Sequence, residues 1–257
     1  MNDNDYHSRF VGILEVFNLT VNYRGICAVE NVSFCLEAGQ IVGVIGPNGA
    51  GKSTMLKAML GLVPSCRGTV RYGRHSLKTQ LSQVSYVPQR SQIDWDYPIT
   101  VGNVVMMART RHTGWFRSPS RQSREIVKAA LERVGMWELR NRSIGELSGG
   151  QQQRVFLAQA IAQEANLFFF DEPFVGVDKK TEAVIFEVFQ ELKQQGKILL
   201  AIGHELGEAS RQYDRFLLIN KSLIADGLRS EVITADNIQR AYGDSVILLQ
   251  REPERCP

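Results

Sequence analysis

The sequence lacks long apolar runs, paired cysteines and clustered histidines. No stretch of its 257 residues approaches the roughly 18 consecutive apolar residues of a membrane-spanning helix. Because no two cysteines form a C-x-x-C pair, neither a disulfide framework nor a zinc site is indicated, and reduced thiols are expected. The histidines lack metal-ligand spacing, so we predict no transition-metal site in this chain. The cysteines are Cys27, Cys35, Cys66 and Cys256, and the histidines are His7, His75, His112 and His204.

A strong excess of one charge is also missing. The 30 Lys and Arg residues are nearly balanced by 27 Asp and Glu residues, and the net charge of +3 does not by itself indicate a nucleic-acid partner. The first residues are polar and acidic, whereas a signal peptide would be basic and then apolar. We therefore expect a soluble, unexported protein that reaches a membrane only through another protein or a surface contact.

What the sequence does contain is a glycine-rich loop between an apolar run, 41–45, and a helical pattern, 53–62. Such a loop cradles phosphate, because glycines let backbone amides approach closely and a helix start attracts anions. Lys52 is expected to reach the β and γ phosphates and Ser53 to hold Mg²⁺. A chance glycine turn is the disfavoured alternative. The loop matches G-x-x-x-x-G-K-[ST] and comprises Gly46, Pro47, Asn48, Gly49, Ala50, Gly51, Lys52, Ser53 and Thr54.

The remaining pattern predicts one domain with an α/β fold. Two strands, 14–23 and 28–36, alternate as in an antiparallel sheet, whereas 167–170 and 198–202 read as buried parallel strands. Helical patterns at 100–109, 123–134 and 150–163 form a helical insert, with Thr100 as a predicted N-cap. The predicted divisions are a flexible start (1–11), a β subdomain with the phosphate-loop core (12–90), the helical insert (91–165), a second core segment (166–243) and a tail (244–257).

Two single residues near strand ends are candidates for ligand contact. Tyr23 is predicted at the turn after the first strand, where an aromatic ring can stack on a nucleobase or simply pack. Gln89 follows the strand 84–87, and polar residues at such strand ends often bind or sense ligands. For Gln89 the alternative is an ordinary solvated glutamine.

Two acids, Asp171 and Glu172, follow the apolar strand 167–170. The burial of that strand would deliver them to the phosphate end of the sheet. Asp171 could then orient Mg²⁺ and its waters, while Glu172 could polarise a water for in-line attack on the γ-phosphate. Two solvated acids are the alternative, which the phosphate loop makes less plausible.

A second anion site is predicted at the start of the helix 150–163. Its motif is Leu147, Ser148, Gly149, Gly150 and Gln151. With this motif the sequence strongly resembles the ATP-binding cassette (ABC) family over about 14–243. The resemblance implies a P-loop NTPase (RecA-like) core with an antiparallel β subdomain and an inserted α-helical subdomain. It also implies that the motif, the family's signature, completes the ATP site of the opposite subunit.

The resemblance assigns further roles to single residues. Tyr23 matches the aromatic that stacks on adenine, and Gln89 matches the glutamine that contacts Mg²⁺ and senses the membrane partner. Glu172 matches the general base beside the Mg²⁺-orienting acid. Asp178 falls in the loop that crosses the dimer interface, and His204 matches the switch histidine of the γ-phosphate. Two departures are the interface-loop sequence 174–178 and Glu205, where the family usually has aspartate.

A narrower resemblance points to the ATPases of bacterial manganese, zinc and iron importers, through the stretches 92–101, 114–117 and 173–178. It implies a peripheral homodimer on the cytoplasmic face of the inner membrane, which hydrolyses two MgATP to drive permease subunits. Indirectly, it implies a metal-binding solute-binding protein. Manganese is the first expectation for the cargo, with zinc and iron or an iron chelate as alternatives.

Two other function classes remain as alternatives. One is an ABC protein that acts on DNA or ribosomes, which usually carries a coiled-coil insertion or a second cassette. The other is a regulatory nucleotide-binding module without turnover, which the presence of Glu172 and His204 disfavours. The basic and aromatic stretch 109–124 could bind nucleic acid or lipid headgroups. We expect it instead to contact the permease or nearby headgroups, and we predict no nucleic-acid partner.

Overall fold

A computed structural model describes residues 12–23, 25–95, 97–114, 118–203 and 211–243. The chain divides into two compact units, Met1–Leu81 with Ile202–Pro257, and Ser82–Ala201. Several predicted features lie outside the described residues: the flexible start, the switch residue His204 with Glu205, most of the helix expected after it, and the tail. None of the described helices is long and apolar enough to span a bilayer.

The described strands and helices follow the predicted order. The strands are β1 (Leu14–Tyr23), β2 (Ile26–Leu36), β3 (Gln40–Ile45), β4 (Arg67–Tyr72), β5 (His75–Ser76), β6 (Val84–Val87), β7 (Leu167–Asp171), β8 (Ile198–Ile202), β9 (Arg215–Asn220) and β10 (Ser222–Gly227). The helices are α1 (Lys52–Met59), α2 (Val101–Met107), α3 (Thr110–Thr113), α4 (Arg121–Arg133), α5 (Gly149–Ala162), α6 (Lys179–Gln194), α7 (Arg229–Val232) and α8 (Ala235–Tyr242).

The first unit contains the predicted antiparallel sheet and the strands β3, β9 and β10. The antiparallel sheet has the order β2-β1-β4-β5. In β1 the buried residues alternate on each side of an irregularity between Val16 and Leu19, as a half-covered sheet requires. Strand β3 pairs in parallel with β9, which pairs antiparallel with β10. Because β3 is almost wholly buried, it delivers the residue after Ile45 to a fixed position at its end.

Helix α1 is shorter than predicted. The pattern favoured a helix to Leu62, but the helix ends at Met59. Gly61 then has a φ of 74°, the left-handed conformation that ends many helices and that glycine adopts without steric cost. The apolar face was predicted correctly, since Met55, Leu56 and Met59 are fully buried.

The second unit joins three strands to the helical insert. Strand β6 pairs in parallel with β7, and the order is β8-β7-β6. Helices α2, α4 and α5 lie where the pattern predicted them, within one or two residues at most boundaries. Thr100 is the N-cap of α2, as predicted, since its hydroxyl accepts a hydrogen bond from the Asn103 amide.

Arg109 corrects the interpretation of the basic stretch 109–124 as one surface. Its side chain is only 4% exposed, and Nη1 donates to the Ala162 carbonyl at 2.9 Å and to Glu164 at 2.6 Å. The guanidinium therefore binds the end of α5, where it satisfies a helix carbonyl. Residues 115–117 of the same stretch lie outside the described residues.

Candidate functional site

The phosphate loop has a backbone that only glycine can supply. Gly46 and Gly51 have φ values of 151° and 91°. A Cβ atom on Gly46 would lie 1.9 Å from the Ile219 carbonyl oxygen, and one on Gly51 would lie 2.2 Å from the Ala28 carbonyl oxygen. At position 49 only the φ of 78° favours glycine, since a Cβ atom there would have no neighbour within 4 Å. The chain therefore passes against β2 and β9 with no space for side chains.

Lys52 is held inside this loop at the start of α1. Its side chain is 5% exposed, and Nζ donates to the carbonyl oxygens of Gly46 at 2.8 Å and Pro47 at 2.9 Å. Among the described residues, no side chain caps α1, whose N-cap is Gly51. An ammonium group beside the backbone amides of a first helical turn forms a site for anionic oxygens.

Hydrogen bonds from β2 and the β9–β10 turn brace the loop. The Lys221 amide donates to the Ala50 carbonyl at 2.8 Å, and the Lys221 carbonyl accepts from the Glu30 amide at 2.8 Å. Burial raises the pKa of Tyr242, and a hydrogen bond with the Gly46 backbone partly offsets that rise. The loop is thus fixed by chain segments distant in sequence, which no local pattern predicts.

Tyr23 is the last residue of β1, which has the predicted bounds 14–23. Its ring is 54% exposed, and in the hairpin it pairs with Ile26 of β2. Ala28, two residues further along β2, is the residue whose carbonyl approaches Gly51. An exposed aromatic ring therefore lies on the hairpin that borders the phosphate loop.

Asp171 ends β7, a strand whose five residues are all buried. Its own exposure is only 2%. Burial raises the pKa of Tyr86 well above its ordinary value, and the negative charge of Asp171 raises it further. Tyr86 comes from β6, next to β7 in the sheet. The phenol and the carboxylate are therefore close enough to interact electrostatically, which the sequence did not indicate.

Glu172 follows with a left-handed backbone, at a φ of 57°. Such a conformation costs a non-glycine residue about 1–3 kcal/mol and is concentrated at functional sites. The Gln89 side-chain amide donates a hydrogen bond to the Glu172 carboxylate. The structure thus brings together two residues that the sequence proposed separately, and the backbone leaves the extended conformation of the strand at Glu172.

The motif Leu147 to Gln151 forms the start of α5. Ser148 is the N-cap, and a capping box joins its hydroxyl to the Gln151 amide while the Gln151 side chain accepts from the Ser148 amide. A Cβ atom on Gly150 would lie 2.8 Å from Thr181 Oγ1 and 3.8 Å from Asp178 Oδ2. The helix start therefore packs closely against the start of α6.

Asp178 is the N-cap of α6. Its carboxylate accepts a hydrogen bond from the Thr181 amide at 2.7 Å, and the backbone and side-chain hydrogen bonds with Thr181 lower its pKa. The residue is therefore charged at neutral pH. The structure places it beside Gly150 of the signature, a contact that the sequence did not predict.

The predicted site residues thus fall into two described groups. The first unit holds the phosphate loop and Tyr23, and the second holds Gln89, Asp171, Glu172, Asp178 and the signature. Within the described ranges, no three His, Cys, Asp or Glu side chains are grouped closely enough to hold a metal ion.

Comparison with known proteins identifies the family. The ABC transporter family profile matches residues 29–175. The manganese transport system ATP-binding protein MntB of Halalkalibacterium halodurans is 43% identical over 94% of this chain and 96% of its own length. The zinc transport system ATP-binding protein TroB of Treponema pallidum is 44% identical over 91% of this chain and 88% of its own. A solved metal-chelate type ABC transporter, in an inward-facing conformation, aligns with a TM-score of 0.79 and 26% identity over 90% of this chain and 89% of that chain. The predicted resemblance is confirmed: the chain belongs to the ABC transporter family, as one of its ATP-hydrolysing members.

Proposed function

We propose that this chain powers the import of a divalent metal ion, with manganese as the first candidate. The observation that carries the proposal is identity of 39–43% with four manganese transport system ATP-binding proteins, over more than 90% of this chain and of each relative. Zinc is the nearest alternative, because the zinc relative is 44% identical. Iron or an iron chelate is the third. In each case other subunits, and not this chain, bind the transported ion.

MgATP is the proposed substrate. The amides of the phosphate loop and the Lys52 ammonium bind the phosphates, and the Ser53 hydroxyl binds Mg²⁺. Asp171 and Gln89 supply further oxygen ligands to Mg²⁺ or its waters. Hydroxyl, carboxylate and amide oxygens are the hard donors that this ion prefers, so the residues fit the metal.

Glu172 is the proposed general base. It polarises the water that attacks the γ-phosphorus in line with the bond to ADP, and that bond breaks as the new one forms. Its left-handed backbone ends the extended conformation of the buried strand β7. Gln89, which donates a hydrogen bond to this carboxylate, senses the permease. His204 stabilises the charge of the γ-phosphate.

Two copies of the chain form the working ATPase in this proposal. The signature amides of one copy contact the γ-phosphate held by the loop of the other, and Asp178 lies at the interface. ATP thereby joins the copies, and hydrolysis removes the bridge. The dimer acts at the cytoplasmic face of the inner membrane on permease subunits, which receive the ion from a solute-binding protein.

Ion uptake tests the cargo. We expect cells that lack the gene to take up manganese at less than about a tenth of the rate of cells that carry it. The gene for wild-type protein should restore uptake, and the gene for Glu172→Gln, expressed to the same level, should not. Loss of zinc or iron uptake with normal manganese uptake would assign the cargo to that ion. Normal uptake of all three would overturn the proposed import function.

Tyr23 provides a test of nucleotide stacking. We expect Tyr23→Ala to raise the Kd for ATP about tenfold, because stacking on a base contributes about 1–3 kcal/mol. Tyr23→Phe should bind like the wild type. Phe17→Ala is the matched control, since Phe17 lies on the same strand and is 61% exposed. Equal affinities in Tyr23→Ala and Phe17→Ala, measured by calorimetry, would exclude the stacking role.

A further inference from the structure

Arg90, the residue after Gln89, binds the first turn of the signature helix. Its Nε and Nη2 atoms both donate to Gln152 Oε1, at 3.0 and 2.8 Å. Gln152 is 3% exposed, and its Nε2 donates to the Ile144 carbonyl at 3.1 Å. Both ends of the buried amide are therefore engaged, so its orientation is fixed by its partners. A hydrogen bond from a guanidinium to a buried acceptor is stronger than one between neutral groups.

Trp95 also contacts Arg90. The indole nitrogen donates to the Arg90 carbonyl at 3.1 Å, and the guanidinium carbon lies 5.5 Å from the ring centroid. The Trp95 ring meets Phe156 of α5 edge-on, with centroids 5.6 Å apart. Arg90 is thus attached to α5 directly through Gln152 and indirectly through the two aromatic rings.

Gly149 gives the guanidinium its space. A Cβ atom on Gly149 would lie 3.0 Å from Arg90 Nη1, closer than nearly all real contacts. Gly149 is also the first residue of α5, directly after the N-cap Ser148. Arg90 therefore packs against the first residue of α5, at the helix start whose backbone amides are proposed to contact nucleotide.

The adjacent residue Gln89 completes the connection, because its amide donates to Glu172. One loop thus touches the proposed general base through Gln89 and the signature helix through Arg90. We propose that Arg90 is a positioning residue for ATP hydrolysis. It fixes the position of the signature helix relative to the loop that carries Gln89. This inference rests on the proposed role of the signature in the partner's ATP site.

The proposal predicts a defect in dimer closure without a defect in nucleotide binding. We expect Arg90→Ala to lower kcat for ATP at least about tenfold. The Kd for ATP should change less than about twofold, because the phosphate loop makes those contacts. In the Glu172→Gln background, the ATP concentration for half-maximal dimer formation should rise at least about tenfold. Arg90→Lys should recover part of the loss, because lysine donates to Gln152 but lacks the forked geometry.

Arg140→Ala is the matched control. Arg140 lies 4.4 Å from the Trp137 ring centroid and donates to the Trp137 carbonyl, so it makes the same kinds of contact elsewhere in the second unit. We expect this variant to keep the wild-type kcat. Equal kcat and dimer formation in Arg90→Ala and Arg140→Ala would overturn the proposal. A parallel loss of melting temperature and ATP affinity in Arg90→Ala would also overturn it, because the contact would then be structural only.

The same experiments separate this inference from the proposed function. If wild-type protein hydrolyses ATP and Glu172→Gln forms an ATP-dependent dimer, the proposed composite site holds, and the Arg90 variants test the inference alone. If Glu172→Gln binds ATP and stays monomeric, the composite site itself fails, and the inference fails with it. A double-mutant cycle between Arg90 and Gln152 gives a further check. It should show coupling in kcat, since the two side chains share one contact.

Discussion

Replacing Glu172 with glutamine is expected to lower ATP turnover by about a hundredfold to ten-thousandfold, the range over which general-base catalysis contributes. Glutamine keeps the shape of the side chain and can still accept the Gln89 hydrogen bond, but it cannot take a proton from water. The affinity for MgATP should remain within about twofold of wild type, because the phosphate-loop contacts do not change. Phosphate release and equilibrium binding of ATP are the two measurements.

Glu187→Gln is the control for this change. Glu187 lies on α6 and contacts Arg133 of α4, so the substitution removes a similar charge away from the nucleotide-binding residues. It should leave turnover within about twofold of wild type. Turnover above a tenth of the wild-type rate in Glu172→Gln would contradict the assignment of Glu172 as the base.

Replacing Gly51 with alanine should abolish useful ATP binding. The new Cβ atom would lie 2.2 Å from the Ala28 carbonyl oxygen, which belongs to the backbone and can move only if β2 or the loop moves. Overpacking costs about 1–3 kcal/mol, and the left-handed φ of 91° adds about 1–2 kcal/mol. We expect the free energy of unfolding to fall by about 2–5 kcal/mol and the Kd for ATP to rise at least about a hundredfold.

Gly196→Ala separates the clash from the backbone cost. Gly196 follows α6 with a φ of 74°, and a Cβ atom there would meet nothing within 4 Å. Denaturant unfolding should therefore show only the φ cost of about 1–2 kcal/mol, with ATP affinity unchanged. Equal losses of stability in Gly51→Ala and Gly196→Ala, with normal ATP binding in both, would contradict the claim that the loop lies too close to β2 for a side chain at position 51.

Local pattern was sufficient for the parts of the fold that depend on neighbours in sequence. The strand β3, the glycine loop and the start of α1 could be predicted together, since burial, φ and helix start are all encoded within 41–59. Strand β7 and its terminal acids followed from an uninterrupted apolar run. The same reasoning placed Thr100 and the signature at helix starts, because capping depends on residues three positions apart.

The contacts that orient these residues could not be predicted, because they join segments far apart in sequence. Arg109 looked like part of a basic surface, yet it contacts Glu164, which is 55 positions away. Arg90 and Gln152 are separated by 62 positions, and nothing in either segment indicates the pair. The left-handed backbone of Glu172 also lacks a local signal, since glutamate rarely adopts it.

The measurement that tests the central claim most directly is the molar mass of the Glu172→Gln variant in solution with and without MgATP. The claim is that the ATP site is completed by the signature of a second copy. Without nucleotide, light scattering should give the mass of one chain, 28.9 kDa. With saturating MgATP it should give twice that mass, and Lys52→Ala in the same background should remain a monomer. A Glu172→Gln protein that binds ATP with full affinity and keeps the mass of one chain would contradict the claim.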